Sequence, residues 1–400
     1  MITLSKSQIV DKNKTYLDTD SENIYKLNDE YNMLLDEKIG AGAFGQIYKC
    51  QNVKTKEIYA GKIESLTSIS PQLYHEYKIL NEMKGKFGFP SCYKLINTKQ
   101  DRTLIMDFLG PNLETIMNKM PNQKFTMKTA LMITEQIIQR LKDLHSKFLL
   151  HRDMKPENFV IGQKGKERTI FLIDFGLSRK YINERTLEHI PLKDKRPILG
   201  TVRYISINTH LGFEQSRRDD LESLAYIMIY FIMGELPWQC IKAKTKKEKY
   251  DKILAKKKET VPNEICKFLP EEIKTFVGNI LKLDFSEKPD YAFLTSLLDK
   301  LMSKYGYSND LQFDWYTPAI LNVLYDAYNS QNNNNSSNGQ IDTKEVEDDK
   351  NNFIKKTKTI AKRKENSHFK TNTGVINNIK KKSFSNKKLV FVGFNNNYYK

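Results

Sequence analysis

The run Gly40-Ala41-Gly42-Ala43-Phe44-Gly45 fits G-x-G-x-x-G, and the residues just after it narrow the folds open to the chain. Missing side chains let backbone N–H groups come close to phosphate oxygens, so such a loop suits a polyphosphate. Taken alone, the pattern is equally a glycine-rich hairpin turn. In a dinucleotide-binding βαβ unit these glycines open a helix. Here Gln46-Ile47-Tyr48-Lys49 continues as a β-type run, which argues against that unit and for a phosphate-covering hairpin. Met33-Leu34-Leu35 and Ile58-Tyr59-Ala60-Gly61-Lys62-Ile63 extend the pattern into a small antiparallel sheet. Ser70-Pro71 then reads as the N-cap and first-turn pair of a helix carrying Leu73, Tyr77, Leu80 and Met83.

Beyond Gly110-Pro111 the period changes. Ala130, Ile133, Ile137, Leu141 and Leu144 fall on one helical face, and the segment 221–233 is apolar nearly all round, as expected of a helix through the middle of a lobe. The expected class is α+β: a small antiparallel sheet with one helix, followed by a larger, mainly helical part.

Chemistry-bearing residues fall in order along this frame. Lys62 closes a strand and Glu76 lies within the next helix, so the carboxylate can hold the ammonium toward the phosphates of a nucleotide. His151-Arg152-Asp153-Met154-Lys155-Pro156-Glu157-Asn158 matches the kinase catalytic loop H-R-D-x-x-x-x-N at every fixed position. Asp153 is the candidate acceptor of a substrate hydroxyl proton, Lys155 places charge beside the transferring phosphoryl, and Asn158 offers a neutral oxygen to a hard cation such as Mg²⁺. Asp174-Phe175-Gly176 comes after the β-type run Ile170-Phe171-Leu172-Ile173 and adds a carboxylate for the metal. An Asp after a strand is by itself a turn-capping residue. Asp153 and Asn158 just upstream decide for the metal.

With these elements in order, the sequence resembles eukaryotic protein kinases from about residue 31 to 302, which implies a two-lobed kinase fold, ATP and Mg²⁺. Gly200-Thr201-Val202-Arg203-Tyr204-Ile205, then Ser206-Ile207-Asn208 in place of A-P-E, and Glu214-Gln215-Ser216-Arg217-Arg218-Asp219-Asp220-Leu221-Glu222 resemble the casein kinase 1 family of serine/threonine kinases. Leu109-Gly110-Pro111-Asn112-Leu113-Glu114 and Leu236-Pro237-Trp238-Gln239 are further matches. The resemblance implies Gly40, Gly42 and Gly45 over the phosphates, Met106 as gatekeeper, and Asp107 and Leu109 as hinge. It places Ile39, Ile47, Ala60, Val160 and Ile173 around the adenine, and gives Asp220 as the buried carboxylate steadying the catalytic loop. It also implies protein substrates with acidic or phosphorylated residues, read by an anion site of Arg196, Arg203 and Lys249. Tyr59 and Gly61 stand where the family usually has Val and Ile, a change expected to loosen the nucleotide roof.

The implied division is a polar extension (1–30), a kinase domain (31–302, with lobes 31–109 and 110–302), a C-terminal extension of that domain (303–328), and a disordered Asn/Lys-rich tail (329–400). The tail carries 15 Lys/Arg and 6 Asp/Glu, a net of +9 within the chain's +17, and suits weak contact with polyanions. Its composition has too few apolar residues to offset ordering. Cys50, Cys92, Cys240 and Cys266 are far apart and form no zinc or disulfide pattern. No segment is long and apolar enough to span a bilayer, so a place in the cytoplasm or nucleus is expected; a monomer is expected as well. Two alternatives compete: a kinase without a priming preference, and an inert scaffold of the same fold. The scaffold would have lost Lys62, Asp153, Asn158 or Asp174, and all four are present.

Overall fold

In a computed structural model of the chain, residues 23–42, 45–163, 165–317 and 320–325 are described. The tail 329–400 and residues 1–22 of the N-terminal extension lie outside them. Side chains alternate across a strand, so directly paired residues of neighbouring strands share a face. Six strands form one antiparallel sheet in the order β1-β2-β3-β4-β6-β5: β1 (Ile24–Lys26), β2 (Tyr31–Gly42), β3 (Gly45–Asn52), β4 (Ile58–Ser65), β5 (Cys92–Asn97) and β6 (Asp101–Met106). The sheet therefore starts before residue 31, because Ile24–Lys26 pairs with β2, Tyr25 opposite Met33.

Register gives the sheet two different faces. Ile47 pairs with Lys62, Lys62 with Leu104, and Ala60 with Met106, which puts these side chains on the inner face. Cys50 pairs with Tyr59 and Tyr48 with Gly61 on the outer face, where Leu27, Tyr31, Met33, Cys50, Ile96 and Ile105 form a separate small core. Tyr59 and Gly61, expected to loosen the nucleotide roof, lie on this outer face, opposite to that of Ala60 and Lys62. Tyr59 packs edge-on between Tyr31 (centroids 5.7 Å) and Tyr93 (4.8 Å). Gly61 makes room for Cys50: a Cβ there would lie 2.2 Å from its sulfur.

The helix α1 (Leu73–Glu82) begins two residues later than Ser70-Pro71 suggested, with Gln72 at the N-cap and no side-chain cap of its own. Its open N–H groups are met instead by Glu64 of β4, whose carboxylate accepts from Gln72 N (2.7 Å) and Leu73 N (3.4 Å). A buried carboxylate at a helix N-terminus satisfies orphan donors and opposes the positive end of the helix dipole.

The helical lobe comprises α2 (Leu113–Met117), α3 (Met127–Ser146), α4 (Ile207–His210), α5 (Arg217–Met233), α6 (Lys246–Thr260), α7 (Glu271–Leu281) and α8 (Tyr291–Lys304). Between them run the two-residue ribbon β7 (Leu149–Leu150) with β10 (Arg179–Lys180) and the hairpin β8 (Phe159–Ile161) with β9 (Ile170–Leu172). Residues 219–232 of α5 are buried all round, as its composition requires, and α3 packs alongside. The core continues past α8: Trp315 is fully buried, stacked on Phe313 at 4.5 Å and tilted against Phe125, while Asp314 accepts from Thr126 N (2.7 Å).

Overpacking a filled site costs about 1–3 kcal/mol. Gly61→Ala should lose stability on that scale in urea unfolding, and Cys50→Ala in the same chain should restore most of it. A single variant as stable as wild type would show that the outer core tolerates the extra carbon.

Candidate active site

Three separate pieces of chain meet at one ammonium. Lys62 Nζ on β4 contacts Glu76 Oε2 on α1 at 2.6 Å and Asp174 Oδ1, after β9, at 3.0 Å. Burial alone would drive the proton off Lys62, but the carboxylates of Asp174 and Glu76 outweigh it and hold the ammonium well above its ordinary value. Burial raises Asp174 too, yet Lys62 prevails and brings that carboxyl down to about 2. Burial pushes Glu76 up against the pull of Lys62. Asp174 adopts a left-handed backbone (φ 65°), which turns its side chain off the strand direction while Phe175 stays buried against Phe89 and His151. From α1, His75 Nε2 bonds Ser178 O at 2.7 Å and ties the helix to the chain after Gly176.

The catalytic loop is held from below. Asp220, on α5, accepts from the backbone N–H of His151 (2.8 Å) and Arg152 (2.9 Å) and meets His145 Nε2 at 3.0 Å. Burial would raise its carboxyl, but His145 and these donors lower it, so a buried charge is matched donor by donor. Arg152 takes a left-handed conformation (φ 70°) and donates from Nε to Leu177 O at 2.7 Å. Above this floor, Asp153 Oδ2 contacts Lys155 Nζ (2.9 Å) and Oδ1 accepts from Thr201 Oγ1 (2.9 Å). Asn158 Nδ2 donates to Asp153 O at 2.8 Å, which aims the Asn158 amide oxygen away from that carbonyl. Burial lowers Lys155, but Asp153 more than compensates and the ammonium is held above its usual range.

The residues expected around a nucleotide arrive by register. Gly40 pairs with Ile47 and Gly42 with Gly45 across the β2–β3 turn, next to the irregularity at Ile39. A Cβ on Gly45 would meet Ile63 O at 2.4 Å, so the hairpin closes on β4 only with glycine there. Ala60 and Val160 are buried, and Val160 bridges Asn112. Ile173 donates its N–H to Asn158 O at 3.0 Å, joining the two candidate metal-ligand segments. At the expected hinge, Asp107 accepts from Ser91 N (2.8 Å) and Tyr93 Oη (2.6 Å), and Leu109 O accepts from Gln163 Nε2 (2.8 Å).

The residues present fit a nucleotide with a divalent metal. The inner face supplies apolar side chains for a flat base, the buried Lys62 a fixed positive charge, and Asn158 with Asp174 the oxygen donors that Mg²⁺ prefers.

The three residues expected to form an anion site have separate surroundings. Arg196 pairs with Glu214 at 3.0 Å, the same buried carboxylate that Arg179 holds at 3.0 Å. Arg152 adjoins this group; burial, then the nearby Arg179, brings its guanidinium down to about 10. Arg203 instead donates to Tyr204 Oη (3.3 Å) and lies over the Tyr204 and Tyr230 rings. Lys249 is on α6. Sequence reasoning did not give Arg196 these neighbours, because Glu214, which gathers it with Arg179, carries no local signal of its charge partners. Thr201, Glu64 and Gln163 also escaped it. Thr201 lies inside the family-like run 200–205, whereas the other two act only through tertiary contacts.

Fold and site together define a phosphotransferase that uses ATP and a divalent metal. The sequence-family model for the protein kinase domain matches residues 33–298, more than half of the chain, and the chain belongs to that family.

Removing one partner from a buried ion pair costs roughly 3–5 kcal/mol, whereas replacing the pair by apolar groups is often neutral. Lys62→Met should therefore abolish phosphate transfer and destabilise the fold, while Lys62→Met with Glu76→Met should regain stability without regaining activity. Thermal unfolding beside an ATP-transfer assay reads both. Recovery of activity in the double variant would deny Lys62 its role.

Proposed function

We propose that the chain is a serine/threonine protein kinase of the casein kinase 1 type that prefers acceptors placed downstream of acidic or phosphorylated residues. The observation that carries the chemistry is the bracketing of Asp153 between the Lys155 ammonium and the Thr201 hydroxyl, at 2.9 Å each. Asp153 orients the acceptor hydroxyl and takes its proton as the new O–P bond forms and the bond to the leaving ADP oxygen breaks. Phosphoryl transfer through a loose transition state depends mainly on such positioning and on charge. Lys155 stands beside the transferring group. Lys62, fixed by Glu76, holds the α- and β-phosphates, and Gly40, Gly42 and Gly45 cover them with backbone N–H groups. Asn158 and Asp174 would hold Mg²⁺, which neutralises developing phosphate charge. Met106, Asp107 and Leu109 edge the base, enclosed by Ile39, Ile47, Ala60, Val160 and Ile173.

The family type rests on Ser206-Ile207-Asn208 and the runs flanking it, 200–205 and 214–222. The substrate preference rests on charge. Arg196 and Arg203 lie on either side of Thr201 along the chain, Lys249 lies on α6, and the chain carries a formal +17. Guanidinium groups match phosphate and carboxylate oxygens in fork geometry.

Transfer from ATP to paired peptides, with and without phosphoserine upstream of the target, tests this with Asp174→Asn as the blank. We expect roughly tenfold higher kcat/KM for the primed peptide, a margin that Arg203→Ala should remove while leaving the unprimed peptide near wild type. Equal rates on both peptides would keep the kinase and discard the priming model. No transfer above the blank would return the chain to the scaffold reading.

A further inference from the structure

The segment 201–207, which begins at the Thr201 contact with the catalytic loop, is fastened to the helical lobe almost residue by residue. Lys257, from α6, reaches it with a fully buried side chain: Nζ donates to Val202 O at 3.0 Å and to Ile205 O at 2.5 Å. Trp238 Nε1 donates to the carbonyl between them, Arg203 O, at 2.8 Å. Asp219 accepts from the Ser206 hydroxyl at 2.5 Å, and Glu222 accepts from Ile207 N at 2.7 Å and Tyr226 Oη at 2.6 Å. The Lys257 ammonium lies over the rings of Tyr226 (5.1 Å) and Trp238 (5.2 Å), so the two donors to the loop also pack on each other.

A lysine buried at this depth is costly unless its donors are used. Nothing in the chemistry assigned to Asp153, Lys155 or Lys62 needs it. Its bonds go to backbone carbonyls, which fix the path of the main chain whatever the side chains of that loop are. The loop begins at Thr201, 2.9 Å from the Asp153 carboxylate, so its path fixes where an acceptor peptide can lie against that carboxylate. The lysine-rich run 242–258 thus contains one lysine turned inward. Burial brings its ammonium down to about 7, opposed by Glu222, and burial lifts the Glu222 carboxyl to about 7.

We propose that Lys257, together with Trp238, is a positioning clamp that sets the shape of the acceptor-substrate loop 202–205 and thereby the affinity for the protein substrate rather than for ATP. The inference rests on the kinase reading of the site.

Steady-state kinetics on the full chain separates the two substrates. Lys257→Met keeps length and removes the donors. We expect its KM for the peptide to rise about tenfold with KM for ATP within about twofold of wild type. Trp238→Phe, which removes the indole donor to Arg203 O, should show the same split at smaller size, and Lys257→Gln, which retains an N–H donor, should fall between wild type and the Met variant. Parallel rises in both KM values, or a fall in kcat alone, would reduce Lys257 to a stability residue and overturn the proposal. Should Lys257→Met lack a cooperative thermal transition, the Gln and Phe variants are scored by the same split. Wild-type protein that transfers no phosphate would sink the kinase reading itself, a different result from an unaltered split.

Discussion

One buried ammonium joins the parts of this molecule that local forces leave independent. Lys62 belongs to a strand, Glu76 to a helix, and Asp174 to a turn on the far side of the catalytic loop. Each carboxylate would be expensive at that depth without the ammonium, and the ammonium without them. Their shared contact therefore makes the position of α1 a condition for burying the charges at all. Glu64 adds a second hold at the N-terminus of the same helix, and His75 a third toward the chain after the Asp174 turn.

The helical lobe uses the same device with neutral partners. Asp220 directs its charge at the N–H groups of His151 and Arg152, and Lys257 directs its own at the carbonyls of Val202 and Ile205. In both cases a charged side chain from a rigid helix fixes the backbone of an irregular segment. Loops that carry chemistry need such support because their own hydrogen-bonding groups have no ladder to join. The side chains of Asp153, Lys155 and Thr201 meet within hydrogen-bond distance because the backbones beneath them are held in this way.

The outer face of the sheet illustrates how sequence departures are absorbed. Tyr59 and Gly61 differ from the residues the resemblance leads one to expect, and both changes fall on the face turned from Lys62. Small Gly61 and Cys50 fit each other, and Tyr59 joins Tyr31 and Tyr93. Whether a strand substitution touches the site is decided by its parity along the strand, a one-residue matter.

The sequence alone determined the class and the order of parts: strands around a glycine hairpin, one intervening helix, then helices, with Lys62, Glu76, Asp153, Asn158 and Asp174 in a spacing that chemistry explains. Those features are local or periodic, so they are written along the chain. Tertiary structure alone decided where α1 starts, since its cap comes from Glu64 eight residues upstream on another element. It decided that Arg196 keeps company with Arg179 through Glu214 while Arg203 lies on aromatic rings. It also decided that Lys257, one lysine in a basic run, is buried. Charge partners brought together from distant segments leave no period and no motif, and burial of a single member of a polar run depends on what packs against that helix.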